Sequence, residues 1–115
     1  AADLAIDGQI YILNNDGTVV KLFKGKKADF KLDPVDPPFA GKGKIFTSEE
    51  SAYLYILDPA GKRLLVFDKN GIFITQYQSD KFTDIKDYAV DEKNKTIYIM
   101  NGTTLLKFEA GHLKK

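Results

Sequence analysis

A chain of 115 residues, 43% hydrophobic and 29% charged, has the make-up of one modest folded domain with its own core. Lys+Arg 17 against Asp+Glu 16 leaves a net charge of +1, so there is no basic excess for a polyanion and nucleic acid is not an expected partner. Cysteine is absent, which removes disulfides and thiolate metal sites, and no apolar stretch approaches the roughly 18 residues of a membrane span, so no membrane insertion is expected.

The sequence opens at Ala1-Ala2-Asp3 without Met or an apolar leader, and is read as a processed or excised piece. Asp3-Leu4-Ala5-Ile6-Asp7 predicts a first strand and the apolar run Ile10-Tyr11-Ile12-Leu13 a second. A turn through Asn14-Asn15-Asp16-Gly17 leads to a third strand at Val19-Val20-Lys21-Leu22. Beyond the basic tip Lys24-Gly25-Lys26-Lys27, a fourth strand is predicted over Ala28 to Leu32, followed by the insertion Asp33-Pro34-Val35-Asp36-Pro37-Pro38. The order then repeats. Lys44-Ile45-Phe46-Thr47, Leu54-Tyr55-Ile56-Leu57 and Leu64-Leu65-Val66-Phe67 are three strands, and the Asn70-Gly71 hairpin signal enters a fourth at Ile72 to Gln78. A third copy runs Asp87-Tyr88-Ala89-Val90-Asp91, Ile97-Tyr98-Ile99-Met100 and Leu105-Leu106-Lys107-Phe108, with Gly102 in its turn. His112-Leu113-Lys114-Lys115 stands where its fourth strand would begin, and that strand is read as absent or stunted.

The Ile-Tyr-Ile runs are separated by 44 and then 43 residues, a period that marks stacked supersecondary units. Each second strand is apolar on both faces, so both faces need cover, and no helical pattern is available to supply it. The fold class this predicts is all-β: β-propeller blades of four antiparallel strands packed face to face. Blade 1 spans 1–40, blade 2 spans 41–83 and an incomplete blade 3 spans 84–115, about 2.75 blades in one segment. Closed propellers have four to eight blades, so the arc is expected to leave apolar faces at both ends. Two chains pairing about a twofold axis would close six blades, which makes a homodimer, or a second half-propeller, the expected partner.

The run Leu57-Asp58-Pro59-Ala60-Gly61-Lys62-Arg63-Leu64-Leu65-Val66-Phe67-Asp68-Lys69-Asn70-Gly71-Ile72-Phe73-Ile74 resembles the NHL family of propeller repeats and its six-bladed relatives. Units one and three depart from it at Thr18 and Thr104, which stand in place of Arg63. The resemblance implies a noncatalytic module for binding or scaffolding, with a protein or carbohydrate ligand, in a bacterial protein and on the outer side of a membrane. Two other readings stay open: half of a propeller hydrolase, lactonase-like or esterase-like, with a channel metal, and a self-assembling or engineered half-propeller fragment.

The loops Asp33 to Gly43 and Ser79 to Lys86 lead into first strands and are expected to share one ring face, where propellers bind ligands. The residues named on that face are Phe39, Lys42, Asp80, Phe82 and Asp84. Phe39 and Phe82 recur 43 residues apart, and recurrence at the repeat period favours rings that plug blade seams over rings that stack on a ligand. Asp33, Asp36, Asp80, Asp84 and Asp87 lack the spacing of an EF-hand, so no metal and no cofactor is assigned. His112 is the only histidine and falls in the terminal tail, so no catalytic residue is assigned and triad chemistry is not expected. Tyr11, Tyr55 and Tyr98 are read as blade-to-blade packing residues with hydroxyls at a polar rim.

Overall fold

Short β-branched and aromatic runs separated by Gly and Asn turns give a chain of hairpins, and hairpins joined in series give antiparallel sheets. In the computed structural model, which describes residues 3–114, three such sheets follow in chain order. Ala1, Ala2 and Lys115, on which the expected N-terminal start and part of the terminal tail fall, lie outside the described residues. Blade 1 comprises β1 (Asp3–Ile6), β2 (Ile10–Leu13), β3 (Val19–Phe23) and β4 (Lys26–Lys27). Blade 2 comprises β5 (Lys44–Phe46), β6 (Tyr53–Asp58), β7 (Arg63–Asp68) and β8 (Phe73–Gln78). Blade 3 comprises β9 (Ile85–Asp91), β10 (Thr96–Asn101) and β11 (Thr104–Glu109), and a 3-10 turn, Gly111–Leu113, follows in place of a fourth strand.

Side-chain alternation sorts each strand between two faces, and blade 2 shows what both faces do. On one face Ile45, Leu54, Ile56, Leu65 and Phe67 pack with Ala5, Tyr11, Leu13 and Val19 of blade 1, forming the first seam. On the other, Tyr55, Leu57, Leu64 and Val66 pack with Ile85, Ile97 and Ile99 of blade 3, forming the second. The apolar run Leu54-Tyr55-Ile56-Leu57 is therefore buried throughout. β2 and β10 carry equally apolar runs but bury alternate residues, because blades 1 and 3 each have one neighbouring sheet in this chain.

The expected fourth strand at Ala28 to Leu32 is not formed; β4 is only Lys26–Lys27, and 28–43 is a loop. Lys26 pairs directly with Phe23 across the Lys24-Gly25 tip, and Ala28 N donates to Lys21 O at 2.8 Å, but there the ladder ends. Phe30, Leu32, Val35 and Phe39 turn into the first seam instead, where burying apolar surface outweighs a few more edge hydrogen bonds. The ring of Phe30 meets that of Tyr11 edge-on at 5.9 Å.

Candidate functional site

The long loop is held by one buried cation. Arg63, fully buried at the start of β7, donates from Nε to Asp58 Oδ2 at 2.8 Å, from Nη1 to Gln76 Oε1 at 3.1 Å and from Nη2 to Pro37 O at 2.5 Å. A second tether joins the same loop to the β7–β8 turn: Asp33 N donates to Gly71 O at 2.7 Å and Asp33 Oδ2 accepts from Phe73 N at 2.9 Å. Gly71, at φ +87°, is required there, because a Cβ would stand 2.2 Å from Lys31 O. Gly41, at φ +96°, allows a similar approach to the β2–β3 tip, where a Cβ would lie 2.0 Å from Asn15 O.

Anchored at both points, the loop leaves a cleft of about 770 Å³ against the outer part of blade 1. Val19 and Val20 of β3 form one wall, Phe30, Val35 and Phe39 form an apolar floor, and Lys27, Asp29 and Lys31 stand on the rim. The backbone of β3 adds a polar element. Because Lys21 O turns outward to meet Ala28 N, the two-residue alternation also turns the N–H and C=O of Val19 outward, beyond the two residue pairs that β4 supplies. The cleft therefore combines an open strand edge, an apolar floor and charges of both signs.

The five residues named from the sequence do not converge on one point. Phe39 is half-buried, packs on the first seam and lines the cleft floor. Lys42 is exposed at φ +59°. Asp80 sits with Gly61, Lys62 and Thr83 around a shallow polar depression of about 500 Å³ on the loop side of blade 2. Phe82 is 4% exposed, with its ring 5.9 Å from that of Phe108 in the second seam, so it is a packing residue and not a surface that a ligand touches. Asp84 is exposed, with its carboxylate 3.7 Å from Lys86 Nζ. Of the aspartates weighed for a metal, Asp33 is committed to Phe73 N and Asp87 Oδ1 to Tyr88 N; among the described residues no three His, Cys, Asp or Glu groups lie close enough to share an ion.

Sequence reasoning missed the most connected polar group in the molecule. The 3-10 turn after β11 inserts His112 into the second seam, where it is 9% exposed, edge-on to Tyr53 at 4.7 Å between ring centroids. Tyr55 Oη donates its proton to Glu92 Oε2 at 2.7 Å, so at its 2.8 Å contact with His112 Nε2 it accepts, which places the ring proton on Nε2. Nδ1 then accepts from Tyr77 Oη at 2.5 Å, and Tyr77 Oη accepts the His112 backbone N–H at 3.0 Å. Ser51 Oγ also donates to Glu92 Oε2, at 2.6 Å. Every member is satisfied with a neutral imidazole. Burial lowers the His112 pKa from its ordinary value, against a smaller opposing pull from Glu92, and burial raises those of Tyr55 and Tyr77. The sequence signal was slight: an apolar Leu113 beside a histidine, where a strand should have begun.

Three antiparallel sheets packed in series, inner strand first, with loops gathered beside the strand ends, define an arc of a β-propeller. The chain belongs to the DUF5128 family, described as a 6-bladed beta-propeller, whose pattern matches residues 44–114, the whole of blades 2 and 3. No curated protein matches the chain.

Proposed function

We propose that the chain is a noncatalytic binding module, built of NHL-like propeller repeats, that takes an extended segment of a protein partner into the cleft beside blade 1. The observation that carries this reading is the outward backbone of Val19 above the floor of Phe30, Val35 and Phe39. A peptide in extended form supplies the missing ladder through its main chain and fills the floor with alternate side chains, the mode by which sheet edges take strands. Lys27, Lys31 and Asp29 then set the charge pattern of the segment that fits. His112 is not placed for acid–base work in this reading, since both of its ring nitrogens are engaged by tyrosines inside a seam.

Peptides selected from a displayed random library against the chain test this directly. They are expected to shift the backbone amide resonances of Val19, Lys21 and Phe30, and a Val35→Asp variant is expected to lose them. Selected peptides that perturb only blade 3 would overturn the assignment. The competing reading, half of a hydrolase with a channel metal, makes a different demand: calcium added alone should raise the melting temperature. The binding-module reading expects no such rise.

A further inference from the structure

The outward face of blade 3 repeats, position for position, a face that blade 1 buries. In blade 1 the cross-strand row Ala5–Tyr11–Lys21 and the pair Leu13–Val19 turn toward blade 2. There Lys21 Nζ lies 5.2 Å from the Tyr11 ring centroid and donates to Lys69 O of blade 2 at 3.1 Å. In blade 3 the corresponding row is Ala89–Tyr98–Lys107 and the corresponding pair is Met100–Leu105. Register turns these away from blade 2, and Leu105 is 59% exposed.

The opposite end of the arc carries the complement. Blade 1 turns outward two all-aliphatic rows, Leu4–Ile12–Val20 and Ile6–Ile10–Leu22, with Leu4 and Ile6 55% and 58% exposed. Their counterparts in blade 3, Tyr88–Ile99–Leu106 and Val90–Ile97–Phe108, pack into the second seam on blade 2. One end of the arc thus has the face a preceding blade offers, and the other has the face a following blade presents. Charge obeys the same correspondence. At the first seam Lys69, in the turn after β7, pairs with Asp7. Lys24 holds the place of Lys69 in blade 1, exposed and left-handed at φ +52°, and Asp91 holds the place of Asp7 in blade 3.

We infer that a second copy of this chain covers both ends: the outer face of blade 1 docks on the outer face of blade 3 of the partner copy, and the reverse, about a twofold axis. Three blades per copy and six in the ring satisfy the closure for which the family is described. Each junction between copies is then a third example of the seams already inside the chain, with Lys24 of one copy facing Asp91 of the other. This inference does not depend on what the cleft binds.

Sedimentation velocity on the 115-residue chain is expected to give twice the chain mass. Ile6→Lys and Leu105→Lys, at exposed positions on opposite end faces, should each yield a folded monomer by circular dichroism. Mixing the two variants should restore a heterodimer, because one junction is then free of both substitutions. Lys24→Glu should weaken the dimer roughly tenfold, and adding Asp91→Lys should recover it. A chain that remains monomeric at high concentration would overturn the inference and assign the end faces to blades outside this sequence. Growth past the dimer, or a dimer indifferent to both lysine substitutions, would overturn it equally.

Discussion

Tyr11 and Tyr55 hold the same place in successive blades, yet Tyr11 donates to Asp7 of its own blade while Tyr55 donates to Glu92 of the next. The consequence reaches across each seam. Asp7 also receives the Lys69 ammonium from blade 2, so the first seam is closed by an ion pair. Glu92 instead sits at one end of a chain of neutral hydroxyls that runs through His112 to Tyr77. Burial pushes the Asp7 pKa up, but Lys69, the Gln9 N–H and the Tyr11 hydroxyl together outweigh it and hold the carboxyl below its ordinary value. Burial pushes His112 down. A single repeat position therefore supports two electrostatic solutions, because the partner of the tyrosine comes from surrounding loops that do not follow the repeat.

The comparison is broken most severely by removing what fixes the loop across the first seam. Arg63→Leu strands Asp58 as a buried carboxylate and frees Pro37 O; a loss of about 3–5 kcal/mol in chemical denaturation is expected, with faster proteolysis within 28–43. Second in size is Tyr55→Phe, which leaves both Glu92 and His112 Nε2 without the bridging hydroxyl and should cost about 1–3 kcal/mol. The matching Tyr11→Phe should cost less, since Asp7 keeps Lys69 and the Gln9 N–H. Equal losses would mean that the two seams do not differ as described.

A pH series separates the seams without substitution. His112 titrates below its ordinary 6.5 in the folded chain, so the unfolded state binds more protons between the lowered value and 6.5. Stability is therefore fully present above 6.5, falls as pH drops through that window and levels off below the folded value. The melting temperature should decline from roughly pH 7.5 to roughly pH 5, and His112→Gln should flatten the decline. Asp7, with a lowered pKa, keeps its contribution above 3.8 and is silent across this range. The smallest effect expected is that of Lys69→Met, about 1 kcal/mol, reduced further by salt because the ammonium is partly exposed.

Much of the architecture was legible before any coordinates. Ile-Tyr-Ile runs at near-constant spacing, Gly17, Asn70-Gly71 and Gly102 at the turns, and apolar strands without a helical pattern specify hairpins that must stack. Phe39 and Phe82 were legible as seam residues for the same reason, recurrence at the period. The cleft was not. Whether Ala28 to Leu32 would pair with β3 or fold into the seam depends on Arg63 reaching Pro37 and on Gly71 admitting Lys31, contacts between residues 26 and 40 positions apart. Likewise His112 is 57 positions from Tyr55, and nothing in the local pattern of either announces the other.

The sequence by itself determined strand order, turn positions and which residues are apolar, since local dihedral preference and side-chain alternation act within a few residues. Tertiary structure alone decided which of two apolar faces is covered, where the long loop settles and which buried group titrates. Those outcomes depend on desolvation and hydrogen-bond satisfaction among groups that meet only after the blades have packed.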